Sequence, residues 1–218
     1  MKTLLGAALE LLLPRLCAGC GREARRAPLC PACALAPSGP LGPPPRGLAA
    51  WHAAIAYEAA GADWVRRFKY PARGLRGLDP AAEAVALHLM RRLAARLPGE
   101  APDAVVPVPL HPRRLRSRGF SPAALLARVC AREARARFAP VLLARLRDTP
   151  SQTGLARAAR RRNVAGAFAA RATAPARVWL VDDVVTTGST LAEAARALRR
   201  AGAREVIGVC LAQRPLVG

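Results

Sequence analysis

Two adjacent carboxylates, Asp182 and Asp183, stand directly before Val184-Val-Thr-Thr-Gly-Ser-Thr190. The residue types in this segment suit two parts of one ligand. Gly188 has no side chain, so the backbone there can approach a phosphate closely. Successive N–H groups from Thr186 to Thr190, with the hydroxyls of Thr186, Thr187, Ser189 and Thr190, can line phosphate oxygens. A helix beginning near Ser189 would direct its positive end to the same spot. Two carboxylates beside a phosphate would repel it unless they face another group. A sugar diol, or a Mg²⁺ bridging it, satisfies them. The segment therefore asks for a ligand with a phosphate at one end and a diol at the other. The plainer alternative, a strand–turn–helix with a Ser or Thr cap, leaves the paired acids unexplained.

A second constellation is basic. His111-Pro-Arg-Arg-Leu-Arg-Ser-Arg-Gly-Phe120 carries one histidine and four arginines, Arg113, Arg114, Arg116 and Arg118. It is expected to be a loop. It follows a proline-bounded, β-branched run, Ala104 to Pro109, and precedes a helix expected over Ala123 to Arg137. Ser121 would cap that helix and Pro122 would open it. A strand feeding an arginine-rich loop into a helix N-terminus suits an anion. A solvated basic loop is the plainer alternative. Further on, Arg145 to Leu155 is irregular, and Arg157, Arg160, Arg161 and Arg162 precede Asn163. On a helix, Arg157, Arg160 and Arg161 would form one cationic stripe, or a merely solvated face.

Four of the six cysteines form two knuckles, Cys17-Ala-Gly-Cys20 and Cys30-Pro-Ala-Cys33. Gly19 and Pro31 supply turns, and four thiolates at this spacing fit one tetrahedral ion. Disulfides suit an oxidising compartment, and a redox C-x-x-C is expected once, not twice at close range. Structural zinc at Cys17, Cys20, Cys30 and Cys33 is the expectation, with no open coordination position for catalysis. Cys130 and Cys210 lie in apolar runs and are expected to be buried.

The elements that must position these groups are bounded by composition. A chain of 218 residues allows one sizeable domain and a small appendage. Aromatics make up only 4%, so the core must be built from Ala, Leu and Val. The formal charge is +21, carried almost wholly by arginine, since Lys2 and Lys69 are the only lysines. A high-GC genome would account for Arg over Lys but less well for the excess over acids. Such charge points to nucleic acid, an anionic membrane surface or phosphorylated ligands. The apolar run Met1 to Leu13 is interrupted by Glu10, lacks a cleavage site and suits a short amphipathic helix. No stretch approaches the ~18 apolar residues of a membrane span, so a cytoplasmic protein is expected.

The expected organisation is an N-terminal helix and zinc module over 1–36, a proline-rich linker over 37–50 and the main domain over 51–218. Within the domain, strands are expected at Ala53–Tyr57, Ala104–Pro109, Arg177–Val181 and Glu205–Leu211. Helices are expected at Gly61–Tyr70, Pro80–Leu97, Ala123–Arg137 and Leu191–Ala201. Strand, loop, helix and strand from Arg177 to Leu211 make a βαβ unit. That unit implies an α/β fold with ligands outside the carboxyl ends of the strands.

Val178-Trp-Leu-Val-Asp-Asp-Val-Val-Thr-Thr-Gly-Ser-Thr190 is similar to the motif with which type I phosphoribosyltransferases bind 5-phosphoribosyl 1-pyrophosphate (PRPP). Three further segments, Phe68-Lys-Tyr70, Val106 to Phe120 and Gln152 to Phe168, join the four-cysteine module in resembling the ComF family over nearly the whole chain. The resemblance implies a type I phosphoribosyltransferase fold, a parallel sheet flanked by helices, with a small zinc-finger module. It implies that Asp182 and Asp183 contact ribose hydroxyls. Val184, Val185, Thr186, Thr187, Gly188, Ser189 and Thr190 would hold the 5-phosphate, and Mg²⁺ would accompany PRPP. Leu110, His111, Arg113 and Arg114 fall at the pyrophosphate loop, with Arg118 close by in sequence. Gln152, Arg157, Arg161, Arg162 and Asn163 fall in a flexible loop and are candidates for nucleic-acid contact. Ser121-Pro122 replaces the Asn-Gln usual in the family, removing a side-chain amide but keeping a good helix start.

The family is linked to natural transformation, so single-stranded DNA and competence-machinery proteins are the implied partners. Two functions remain open: a PRPP-binding competence protein that handles single-stranded DNA, and a Mg²⁺-dependent transferase with an unidentified nitrogen acceptor. Membrane-surface attachment through the N-terminal helix ranks third. No catalytic residue is assigned. Cys17 is committed to metal and no N-terminal cysteine exists to release ammonia from glutamine.

Overall fold

A computed structural model describes residue 30 and residues 43–57, 59–70, 79–148 and 163–214. The chain runs β1 (Ala50–Ala56), α1 (Ala59–Lys69), α2 (Pro80–Ala94), β2 (Ala104–Pro107), α3 (Pro112–Arg118), α4 (Pro122–Glu133), β3 (Arg137–Phe138), β4 (Leu143–Arg145), β5 (Phe168–Ala170), β6 (Arg177–Val185), α5 (Ser189–Arg200) and β7 (Glu205–Gln213). Five strands form one all-parallel sheet in the order β1-β7-β6-β2-β3. β4 and β5 form a separate antiparallel ribbon, with Ala144 opposite Ala169.

Both faces of the parallel sheet are covered, so its strands read as near-continuous apolar runs. In β6, Trp179 and Val181 join a core cluster that includes residues of α1, α2 and α4. Val178 and Leu180 point the other way, into a cluster that includes α5 and the ribbon. The helices match those faces. Leu191, Ala194, Ala195 and Leu198 form the buried stripe of α5, and Leu126, Ala127, Cys130 and Ala131 that of α4. Small alanines on these stripes stand in for the scarce aromatics.

Local capping sets the helix boundaries. Asp79 accepts hydrogen bonds from the N–H groups of Ala81 and Ala82 at 3.0 and 3.1 Å and starts α2. Arg67 Nε donates to the same carboxylate at 2.9 Å, tying α1 to α2. That hydrogen bond from Arg67, with those of the cap, holds the Asp79 pKa below its ordinary value. Ser121 Oγ accepts from Ala124 N at 3.3 Å, with Pro122 in the first turn of α4, as its sequence predicts.

Several boundaries differ from expectation. α4 stops at Glu133 and not at Arg137, because Arg135 turns left-handed (φ 52°) and Ala136 N donates back to Ala131 O. The arginine-rich segment is not a loop. Pro112 to Arg118 is a short helix, capped by His111 Nδ1 accepting from Arg113 N at 3.3 Å and ended by Gly119 at φ 81°. Pro at the first position and a left-handed glycine after the last turn are strong helix bounds, and they outweigh the charge repulsion. β6 continues through Asp182 and Asp183 to Val185, with Val184 beside Ala212 and Val185 beside Gln213.

Residues 45–48, expected within the linker, lie on the domain. Leu48 is buried and its N–H donates to Pro45 O at 3.1 Å. Cys17, Cys20, Cys33, Gln152, Arg157, Arg161 and Arg162, together with the N-terminal helix, lie outside the described residues. No described helix is long and apolar enough to cross a membrane.

Candidate functional site

Strand order locates the site. From β2 the chain moves to β3 on one side, then crosses to β6 on the other, so the order reverses between β2 and β6. A crevice opens at such a switch point, outside the carboxyl ends of the strands. The residues leaving β6 are the acidic pair and the Thr-Gly-Ser loop. Those leaving β2 are Leu110, His111 and the arginines of α3. The topology therefore brings together the two constellations that the sequence holds some 70 residues apart.

On the β6 side, only residues 186–188 are outside regular structure before α5 begins at Ser189. Gly188 adopts φ 72° as the N-cap, a conformation that other residues take only under strain, and it offers no side-chain cap. The positive end of α5 thus faces the loop without a capping side chain from that position. Thr187 Oγ1 and Ser189 Oγ lie 2.8 Å apart, which holds two of the hydroxyls at one place. A Cβ on Gly188 would come within 2.3 Å of Pro45 Cγ, so the loop is walled on one side by residue 45.

The acidic pair is held from several directions. Asp183 N donates to Asp182 Oδ1 at 2.8 Å, and Val184 N donates to Asp183 Oδ1 at 2.6 Å. Lys69, from the last turn of α1, places Nζ 2.9 Å from Asp183 Oδ1. Both side chains of this ion pair are largely buried. Burial alone would lower the Lys69 pKa, but the charge and hydrogen bond of Asp183, with the charge of Asp182, raise it. Asp182 sits beside Cys210 on β7. Burial, then the charge of Asp183, pushes its carboxyl up to about 7, opposed by Lys69 and Arg145.

On the β2 side, His111 Nδ1, Arg113 Nη1 and Arg114 Nε each lie 3.7 Å from a carboxylate oxygen of Asp148. Three of the expected pyrophosphate-loop residues therefore converge on one carboxylate. Arg118 is not among them: its guanidinium lies over the Tyr70 ring, 4.8 Å from the centroid. Arg145, at the end of β4, joins the two halves. Its pKa is lowered by burial and then by the charge of Arg114, and is supported by Asp182 and Asp148. Asn163 accepts a hydrogen bond on its backbone oxygen from Arg147 at 3.0 Å.

Arg145 and Asp148 were not singled out as site residues, and Lys69 was named only within the Phe68-Lys-Tyr70 segment, with no role assigned. One signal for Lys69 was present. In a chain whose cations are otherwise almost all arginine, it is one of two lysines, beside an aromatic. Neither Cys130 nor Cys210 is poised as a nucleophile. Burial pushes Cys130 up to about 12 and Cys210 well above its ordinary range. The arrangement suits binding: hydroxyls and a helix end for a phosphate, carboxylates for a diol, and a histidine with arginines for a second anionic group.

This fold is that of a phosphoribosyl transferase domain, and the family model of that description matches residues 86–216. The DNA utilization protein YhgH of Salmonella typhi is 35% identical over 211 residues, covering 90% of this chain and 89% of that one. Competence protein F of Haemophilus influenzae is 38% identical over 109 residues, 48% of each chain. The chain belongs to the ComF family of phosphoribosyl transferase domain proteins. Among solved structures, a glutamine PRPP amidotransferase from B. subtilis, complexed with ADP and GMP, overlays 66% of this chain and 30% of its own. Its TM-score is 0.43 and its identity 21%.

Proposed function

We propose that the crevice between β2 and β6 binds PRPP and that the protein acts on single-stranded DNA during transformation. The observation that carries the first part is the junction of Asp182 and Asp183 with an αL glycine and an uncapped helix start. In this reading the Thr186–Thr190 segment holds the 5-phosphate and the two acids accept the ribose hydroxyls. His111, Arg113, Arg114 and Arg145 face the pyrophosphate once Asp148 yields them. Mg²⁺ would be held mainly by the pyrophosphate and would spread its charge. The DNA part is supported by the formal charge of +21 and by relatives named for DNA utilization and competence. Competence-machinery proteins are the partners this role entails, and its setting is the cytoplasm.

Calorimetric titration with PRPP and Mg²⁺ tests the site directly. Asp182→Asn/Asp183→Asn should lose binding at temperatures below its own lowered Tm, since Lys69 also loses its partner. An unchanged affinity would sink the assignment. For DNA, affinity for a single-stranded oligonucleotide should fall steeply with salt, the log–log slope counting phosphates neutralised. A flat salt dependence would remove nucleic acid from the proposal.

Transferase activity is favoured by one observation, the cluster of His111, Arg113 and Arg114 where a leaving pyrophosphate would be stabilised. Pyrophosphate release in the presence of a nitrogen acceptor, lost in the double Asp variant, would establish it. Structural zinc at Cys17, Cys20, Cys30 and Cys33 belongs to the same proposal. Cys30 is buried in the core cluster that holds Trp64 and Phe68, so a zinc module would be anchored on the domain at that point. Gln152, Arg157, Arg161, Arg162 and Asn163 remain the proposed contacts of the flexible segment with nucleic acid.

A further inference from the structure

Helices α2, α4 and α5 all run from the crevice end of the sheet to the opposite end. Asp79 caps the start of α2 and bonds Arg67, two residues before Lys69, whose Nζ meets Asp183 near the end of β6. The 15 residues of α2 then carry the chain about 22 Å away. α4 follows α3, which leaves the crevice, and past its end Arg137 pairs beside Ala104 at the start of β2. α5 leaves the loop at Gly188, and past its end the N–H groups of Arg204 and Glu205 donate to Ala176 O, next to the start of β6. The three helix ends and the starts of β3, β2, β6 and β7 therefore share one face, remote from the crevice. Neighbouring strands lie about 4.8 Å apart, so those four starts span about 14 Å.

Arginine dominates this face. Arg91, Arg92 and Arg96 close α2 and begin its exit, Arg132, Arg135 and Arg137 do so for α4, and Arg199, Arg200 and Arg204 for α5. All are exposed except Arg92, which is half-buried. Among the described residues none of them enters an ion pair, and Arg199 donates only to the backbone oxygen of Arg204, at 2.8 Å. Of the acids in the same connections, Glu100 and Asp103 are taken up by Arg177, which leaves Glu133 and Glu205. At the crevice end the arginines are engaged: Arg67 by Asp79, Arg113 and Arg114 by Asp148, Arg118 by the Tyr70 ring. A cation in the last turn of a helix complements its dipole, but Arg96, Arg135, Arg137 and Arg204 lie beyond the last turns.

We propose that this face binds the phosphate backbone of a nucleic acid, so that a strand and the ligand of the crevice occupy opposite ends of the sheet. The proposal rests on the DNA part of the reading above and gives the strand its place. Guanidinium forks match phosphate oxygens. The three connections contain no aromatic residue, so the face offers no base-stacking surface and takes any sequence alike. An anionic membrane would share the charge but needs apolar anchorage. Among the described residues, the exposed large apolar side chains, Tyr70, Leu115, Val141 and Leu146, all lie outside these connections.

The test is a salt titration of the full chain with a fluorescent oligothymidylate. Arg96→Gln/Arg132→Gln/Arg200→Gln takes one exposed cation from each connection and should lower the log–log slope by about 2, at roughly 0.7 per phosphate. Lysine at the same three positions should keep the wild-type slope. Arg46→Gln/Arg66→Gln/Arg116→Gln removes the same charge from exposed positions outside the face and should also keep it. Equal losses in the two glutamine triples overturn the proposal, since net charge alone would then act. A slope that survives the first triple and falls in Arg157→Gln/Arg161→Gln/Arg162→Gln overturns it as well. So does displacement of the oligonucleotide by saturating PRPP at constant ionic strength, because the two ligands would then share one end. If the first triple loses binding to phosphatidylserine vesicles and keeps its oligonucleotide slope, the face serves a membrane and the proposal falls. Absence of oligonucleotide binding in the wild type is a different failure, that of the DNA reading itself, and the placement falls with it.

Discussion

Lys69→Met removes the ammonium that neutralises Asp183 and keeps most of the aliphatic stem. The ion pair is 2.9 Å long, with side chains 21% and 14% exposed, so solvent cannot replace the lost charge fully. Two adjacent carboxylates would then stand together at the end of β6 without their nearest cation. Removing one partner of a buried pair costs about 3–5 kcal/mol. For a domain of this size, that is a fall in Tm of roughly 6–20 °C. Urea unfolding at pH 8, followed by fluorescence, measures it well, because Trp51, Trp64 and Trp179 are all buried. Adding Asp183→Asn to Lys69→Met should restore at least half the loss, since the penalty lies in the unpaired charge and not in the stem. The deficit should also shrink toward pH 5, where Asp182, already raised, takes up its proton. A single variant within about 1 kcal/mol of wild type, or a double variant no better than the single, would refute the account.

Gly188→Ala should destabilise by about 2–4 kcal/mol, from the left-handed φ and from the meeting with Pro45, measured by chemical unfolding. Adding Pro45→Ala should relieve the steric part and leave the φ cost. Asp182 gives a pH dependence with two signs. Its folded pKa lies above its unfolded value, so its contribution to stability is complete below about pH 4 and is lost as pH rises through about 7. Ribose 5-phosphate binding needs the charged form as acceptor and should strengthen between pH 6 and 8, which titration at three pH values will show. Asp148→Asn should tighten binding of pyrophosphate severalfold, because Arg113 and Arg114 lose the carboxylate that competes for them. Zinc analysis should find one ion per chain, and Cys30→Ser should lower the stoichiometry and the Tm together.

The β6–loop–α5–β7 unit was legible because its signals are contiguous: a buried run, two acids, a Gly-Ser turn and an amphipathic helix within 37 residues, Arg177 to Gln213. The start of α4 was legible for the same reason, since Ser121 and Pro122 act on the next turn. α3 was not legible because four like charges within seven residues oppose a helix, and only its bounds, Pro112 and Gly119, favour one. The β4–β5 ribbon was missed because each strand has three residues, too few for a period, and the partners are far apart in sequence. Lys69 and Asp148 acquire their roles only through long-range contacts, Lys69 with Asp183 and Asp148 with His111, Arg113 and Arg114. No local pattern encodes such a meeting. The acids and the loop could be named from the chain, but their counter-ions could not.

The wall that Pro45 places against Gly188 decides where this domain can be cut. A fragment beginning at Trp51 would keep every helix and all but the first residue of β1, yet it would strip Leu48 from the core and uncover the flank of the turn at Gly188. Its circular dichroism would look native while its phosphate affinity fell, and the loss would be blamed on the missing cysteines. A fragment beginning at residue 43 retains the wall and separates the two effects. That boundary lets the N-terminal module be tested for what it adds, independently of residues 45–48, which brace the site.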